Sequence, residues 1–319
     1  MKKKSLLIFL ILLLSVQLVA CNTKGKKVNQ DGKVTIKIGY LPITHAMPLY
    51  LEEEFLKQGN SNIHVELIKF GSWPELLDAL NTGRIDGASV LVQLAMKAKE
   101  QGIDLKAVAL GHKDGNAIIV SPDIHEVKDL KGETFAIPHR QSTHNLLLYQ
   151  MLKKEGLQYD DVKVVELPPA EMPAALFENR ISGYVVAEPF GAQAVALDKG
   201  KVLFQSEEVW PESICCALVL REDFIQKEHP ATETLVHEYV NAGRKAEQKD
   251  KDVHVTAGHY LNVDEEVLDL SLQWISYDDL KINKKEYEEL RTFLIEMDLS
   301  KNPPKYEDFV DNSFIDKVK

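Results

Sequence analysis

The chain has few cysteines, a deficit of positive charge and none of the short motifs that mark common catalytic chemistries. It contains no G-x-S-x-G nucleophile elbow, no G-x-x-x-x-G-K-[ST] phosphate loop and no G-x-G-x-x-G turn, so catalysis has weak support. It has no H-E-x-x-H, and no two of its histidines stand four residues apart, so a strong zinc signal is missing too. Lys and Arg number 38 against 49 Asp and Glu, a net charge of −11, which makes nucleic acid a poor partner. Three cysteines are present. The adjacent pair Cys215-Cys216 could close a disulfide only in a strained geometry, so both are expected as small buried residues in a strand. Beyond the first twenty residues no segment is long and apolar enough to cross a membrane.

The chain opens with MKKK and an apolar run of about fifteen residues, LLIFLILLLSVQLVA, the pattern of a signal peptide over residues 1–20. It ends in Leu18-Val19-Ala20-Cys21, which resembles a bacterial lipobox and implies cleavage before Cys21 and a lipid on its sulfur. Cleavage removes three lysines and no acid, leaving a charge of −14. Residues 21–33, polar and lysine-rich, read as a flexible linker between anchor and folded body.

A chain of 319 residues exceeds what one core usually covers, and its body falls into two similar halves. VTIKIGYL, IHVELIKF, IDGASVLV and LKAVALG are strand-like and alternate with helical stretches, as in parallel-sheet α/β units. ETFAIP, VKVVEL and ISGYVVA repeat the order. Thr44-His45-x-x-x-Leu49-Tyr50 recurs 99 residues later as Thr143-His144-x-x-x-Leu148-Tyr149, and Arg84-Ile85-x-Gly87-x-x-Val90 recurs after 96 as Arg180-Ile181-x-Gly183-x-x-Val186. Two matches in one structural order predict two α/β lobes built on one plan. The expected boundaries are 34–120 plus 221–319 for lobe 1 and 121–220 for lobe 2, with NAIIVSPD and CCALVLRED as a two-strand hinge and the C-terminal helices packed on lobe 1.

In open α/β sheets ligands bind beyond the carboxyl ends of the strands, where loops enter helices. PITHA, GSWPE and HRQSTHN are such loops. Thr44, Ser72, Ser142 and Thr143 supply hydroxyls at helix starts suited to an anion; the plain alternative for Ser72 and Ser142 is N-capping, and Ser72 with Glu75 forms a capping-box pattern. Repetition sets His45 and His144 on facing jaws of one cleft, with His139 and Arg140 at its rim. His112 could also reach it. A metal site could draw on His45, His112, His139 and His144, but their spacing argues against one. Glu188 is a candidate base or an acceptor for local donors, and Trp73 and Phe190 are candidate apolar walls.

LPITHAMPLY, GSWPELLDALNTGRIDGASVL, VKDLKGETFAIPHRQSTHN and VVAEPFGAQAV together resemble segments of the nitrate/sulfonate/taurine-type solute-binding proteins of ABC importers, along nearly the whole mature chain. That resemblance implies a bilobal periplasmic-binding-protein-like fold of type II and an extracytoplasmic, lipid-anchored monomer. It would close on one small polar solute, an oxyanion or sulfonate, and present it to an ABC permease served by a separate ATPase. It places Trp73, His144 and Asn116 at the ligand with Glu188 nearby, and implies no catalytic residue, cofactor or metal. In nitrate-binding members a glutamine stands at the place of Asn116 and an aspartate at that of His45, which weighs against nitrate itself. The alternatives are a pyrimidine-type heteroaromatic stacked on Trp73, an exported enzyme using Glu188 and His144, and a metal-delivery lipoprotein.

Overall fold

A computed structural model describes residues 32–318, so the leader and Cys21 lie outside the described residues. Strands β1 (Val34–Tyr40), β2 (Ile63–Lys69), β3 (Gly87–Leu91) and β4 (Leu105–Leu110) come first. A short β5 (Lys113–Asp114) precedes β6 (Asn116–Val120), β7 (Thr134–Ile137), β8 (Lys163–Glu166), β9 (Gly183–Ala187) and β10 (Lys201–Gln205). The last are β11 (Cys216–Arg221) and the short β12 (Ile275–Ser276). The helices that matter below are α1 (Met47–Gln58), α2 (Trp73–Asn81), α3 (Val92–Glu100), α4 (Thr143–Lys154), α5 (Met172–Phe177) and α6 (Phe190–Ala196).

Two five-stranded sheets form, ordered β2-β1-β3-β11-β4 and β8-β7-β9-β6-β10. They have the same plan. In each the first three strands are parallel, and the fourth, β11 or β6, runs against its neighbours. The repeated Arg-Ile-x-Gly motif has its reason here. A Cβ on Gly87 would stand 2.4 Å from Leu220 Cδ2 and 2.8 Å from the Val219 carbonyl, and one on Gly183 would meet Phe135 at 2.8 Å and the Ile119 carbonyl at 3.0 Å. Both glycines begin the third strand of their sheet, where neighbouring strands leave no room for a Cβ: β11 presses on Gly87, and β7 with β6 on Gly183.

The expected lobe boundaries need correction. β6, placed in lobe 1 by the sequence, is an inner strand of the second sheet, and β11, placed in lobe 2, is an inner strand of the first. Their continuous apolar runs are buried along nearly their whole length, as befits inner strands rather than a hinge. The crossings are the stretches before them, 111–115 and 206–215.

The C-terminal helices also do more than expected. His229–Ala246 packs on α1, but Glu265–Gln273 packs on α6 of the second lobe, and Trp274 packs against that lobe's core. Glu296, in the helix Lys284–Glu296, accepts from Tyr149 and Lys153 of α4. The tail therefore bridges both lobes. Among the described residues no helix is long and apolar enough to cross a membrane.

Candidate functional site

The carboxyl ends of β1, β3, β7 and β9 face one another across the lobe interface, and the two Thr-His segments meet there. β1 runs into a single 3-10 turn, Thr44–Ala46, before α1. The Thr44 backbone N–H and hydroxyl both donate to the Glu188 carbonyl just after β9, at 2.8 and 3.2 Å. In the second copy Thr143 opens α4; its hydroxyl donates to the Ile214 carbonyl at 2.6 Å and accepts from Gln93 Nε2, just after β3, at 2.5 Å. Each threonine is thus tied to the segment that follows the third strand of the other lobe.

His45 is wholly buried. Its Nε2 lies 2.9 Å from the Gly115 carbonyl, which only an N–H can satisfy, so Nδ1 carries the lone pair. That lone pair faces Cys216 Sγ at 3.5 Å and Cys215 Sγ at 3.9 Å. His112 stacks on His45 with ring centroids 3.5 Å apart. Its Nδ1 donates to the Asp114 carbonyl at 2.8 Å, leaving Nε2 buried without a partner. Asn116 Oδ1 lies 3.7 Å from Cys215 Sγ. Burial, and then the neighbouring His112, push His45 down to about 4, so its ring is neutral at pH 7. Burial pushes the Cys215 thiol up, but Cys216 and the rings of His144, His112 and His45 outweigh it and hold the group well below the ordinary thiol range.

Several buried polar atoms here lack any protein partner: Trp73 Nε1, Asn116 Nδ2, Gln93 Oε1, His112 Nε2 and both ring nitrogens of His144. Buried polar groups are nearly always satisfied, so these orphans make their surroundings the candidate place for something from outside the chain. Among the described residues no Lys or Arg is buried, and burial lowers His144 as well, so these donors are uncharged.

Other expected residues have local occupations. Ser142 accepts from Asn145 N at 3.1 Å and donates to the His139 carbonyl at 2.5 Å, the capping alternative. Ser72 begins α2 without a side-chain cap, so its capping box with Glu75 does not form. Glu188 Oε2 accepts from Ala192 N at 2.8 Å and Ser271 Oγ at 3.2 Å, binding α6 to the tail. Burial raises its carboxyl to about 8 against those two bonds, so it is mainly protonated at pH 7. Phe190 is half-buried, packs against both cores, and uses its carbonyl to take the Tyr184 hydroxyl at 2.8 Å. The structure thus brings together His45, Asn116, Thr143 and His144, with Thr44 in the clasp and Trp73 as an orphan donor at the start of α2. Missing from the sequence reading are Gln93, Cys215 and Cys216 as site residues, and His112 as more than a possibility. The available signal was position: His112 and the cysteines lie in or beside the two crossings, which must pass the cleft floor.

The NMT1-like family model matches residues 29–258. A bicarbonate transport ATP-binding protein from Synechocystis sp. is 29% identical over 63% of the chain but 33% of its own length, so the chain spans about a third of such relatives. A nitrate/nitrite binding protein from Nostoc sp. is 27% identical over 76% of the chain and 62% of that protein. The ligand-binding component of an ABC-type import system from Staphylococcus aureus, solved with zinc bound, is 42% identical with a TM-score of 0.86. That match covers 89% of this chain and 99% of the other. The fold is the bilobal α/β fold of periplasmic binding proteins.

Proposed function

The chain belongs to the NMT1-like family, and from that premise we propose that it is the solute-binding component of an ABC importer, held outside the cell membrane by a lipid on Cys21. Its two lobes close on one small polar solute and present it to a permease driven by a separate ATPase. The solute class is a small oxyanion, sulfonates included. The observation that carries this reading is the set of buried donors without acceptors, Asn116 Nδ2 and the His144 ring beside Cys215, with Trp73 Nε1 at the start of α2, in a fold whose lobes are clasped by Thr44 and Thr143. Neutral N–H donors in a dry site suit the acceptor-only oxygens of an oxyanion and need no buried cation. The relatives named for nitrate and bicarbonate support the same class. Trp73 Nε1 is a buried donor without a protein acceptor, which favours its N–H as the recognising group over a stacked heteroaromatic on its ring. Glu188 is mainly protonated at pH 7 and holds Ala192 and Ser271 through Oε2, a structural tie that accounts for that oxygen, while Oε1 is buried without a protein partner.

Thermal unfolding against nitrate, bicarbonate, sulfate, taurine and alkanesulfonates tests the reading. A true ligand at a hundred times its Kd stabilises by about 2.7 kcal/mol. Silence across the panel would remove the oxyanion assignment. The anchor is tested separately: Cys21→Ala should move the protein from the membrane fraction to the medium or periplasm.

A further inference from the structure

Beyond the solute reading, and independent of it, we propose that the floor of the cleft is a binding site for one soft divalent metal ion of the zinc class, ligated by His45 Nδ1, His112 Nε2 and the sulfurs of Cys215 and Cys216. The four side chains are buried and their ligand atoms all lie within 4.8 Å of one another.

The distances have the form of a coordination shell. Zinc bonds of about 2.3 Å to sulfur and about 2.0–2.1 Å to nitrogen require tetrahedral edges of about 3.8 Å between sulfurs and about 3.5 Å from sulfur to nitrogen. The two sulfurs are 3.9 Å apart, and His45 Nδ1 lies 3.5 and 3.9 Å from them. Three of the four ligand atoms thus stand at coordination spacing, and the His112 ring, stacked on His45 at 3.5 Å, would tilt to bring Nε2 in as the fourth.

The tautomers point the same way. Each histidine gives one N–H to a backbone carbonyl, His45 to Gly115 and His112 to Asp114, and turns its other nitrogen inward as a lone pair. This is the usual outer-shell support of a metal-bound histidine, which fixes ring orientation before the ion arrives. It also accounts for the orphaned His112 Nε2, a buried acceptor for which the protein supplies no donor.

The backbone brings the donors together. Gly111 N–H donates to the Cys216 carbonyl at 2.8 Å, and a Cβ on Gly111 would stand 2.8 Å from the His45 carbonyl, so only glycine lets His112 follow so closely. Charge is balanced as well. Two thiolates neutralise a divalent cation in a place where no Lys or Arg is buried among the described residues. Mixed nitrogen and thiolate donors select zinc-like ions over magnesium or calcium. The ligands come from the β1 loop, the two crossings and the first residue of β11, so the ion would pin both crossings to the first lobe.

The test uses the purified protein, kept reduced and stripped with a chelator. Titration with Co2+ should saturate at one equivalent with thiolate-to-metal charge transfer and tetrahedral ligand-field bands, displaced by Zn2+. X-ray absorption on the zinc-loaded wild type should show a first shell of two sulfurs and two nitrogens. Cys216→Ser and His112→Gln should each weaken zinc binding by more than the ~10–100-fold typical of losing an outer-shell partner, while the exposed His259→Gln should not. Uptake without charge transfer, a shell of only nitrogen and oxygen, or Cys216→Ser binding as wild type would overturn the site. The wild-type spectra decide the matter even if a variant fails to fold. Repeating the oxyanion panel on stripped and metal-loaded protein separates the two readings, since either set of signals can be lost without the other.

Discussion

Thr44-His45 and Thr143-His144 stand at equivalent corners of the two lobes, where β1 and β7 lead into α1 and α4, the first pair in a 3-10 turn and the second in the first turn of the helix. What is alike in them is scaffold. Both threonines reach across to the segment after the opposite third strand, and both leucines that follow, Leu49 and Leu148, are fully buried. What differs is the rest. The His45 ring is fastened to Gly115 and faces two thiols, whereas the His144 ring makes no hydrogen bond. Tyr50 is fully buried, stacked on Tyr260 at 4.2 Å and bonded to two carbonyls; Tyr149 is half-exposed and reaches Glu296. The repeat has kept its clasp and changed the chemistry hung on it, leaving one histidine held and the other open.

The largest expected effect concerns what the first clasp grips. Glu188 presents its carbonyl to Thr44 while burial raises its carboxyl from an ordinary value of about 4.5 to about 8. Between those two values the folded chain keeps a proton that the unfolded chain has released, so unfolding gives up a proton and stability falls as pH rises. Below that window both states are protonated, and above it both are ionised, so the slope vanishes. The loss from about pH 4.5 to 8 could reach roughly 5 kcal/mol at about 1.4 per unit. Glu188→Gln should flatten this part of the profile in urea melts. Parallel curves for the two proteins would mean that the Glu188 carboxyl is not the source of the slope. Neither threonine bonds a group that titrates, since Thr44 holds the Glu188 main-chain carbonyl and Thr143 the Gln93 amide, so the slope reads the buried carboxyl and its hold on Ala192 and Ser271.

Next comes the direct contrast between the histidines. His45→Phe keeps a ring but leaves the buried Gly115 carbonyl without its donor, a cost of about 1–3 kcal/mol. His144→Phe breaks no bond, so its unfolding midpoint should stay close to wild type while affinity for a panel-positive oxyanion drops about tenfold or more. Equal destabilisation with equal affinity loss would erase the distinction between a held and an open histidine.

How much of this was legible depends on how local the cause is. The α/β halves were readable because each strand is an apolar run of its own and the repeated glycines mark a steric need at the third strand. The lobe boundary was misplaced because β6 and β11 read as connectors until the sheets show them as inner strands. Ser72-x-x-Glu75 had the right letters for a capping box, yet no cap bond forms. The His45, His112, Cys215 and Cys216 cluster was not legible as a unit, because no local spacing connects three segments that only the two crossings bring together. His144 could be singled out by its repeat, but nothing in the sequence says that its ring would be left unpaired.

A smaller effect tests the repeat itself. Carrying the 99-residue offset forward sets Glu52 of α1 against Met151 of α4, and both are buried. Neither Glu52 oxygen has a partner, and burial, with Glu238 adding to it, pushes its carboxyl well above the usual range. Lending lobe 1 the other lobe's side chain, Glu52→Met, should stabilise by about 1–2 kcal/mol at pH 7 in denaturant melts, since it removes an unsatisfied buried carboxyl at similar volume. Destabilisation would show that α1 needs that carboxyl and that the copies have diverged in packing as well as in chemistry.

The smallest effect lies at the end of the motif. Tyr50→Phe removes a hydroxyl that bonds the Leu41 and Ile43 carbonyls at 3.2 and 3.1 Å, and these shape the turn that delivers Thr44 and His45. Both bonds are long and share one proton, so the cost should be about 1 kcal/mol, as for one net hydrogen bond. Tyr149→Phe gives up a bond to a half-exposed Glu296 that also receives Lys153, and should leave stability unchanged. If the two changes cost the same, the tyrosines are equivalent parts of one repeat. If only Tyr50→Phe is felt, and it also weakens Thr44's hold on Glu188, then the first Thr-His turn is a rigid platform from which the cleft is organised, and the second is the face that meets the solute.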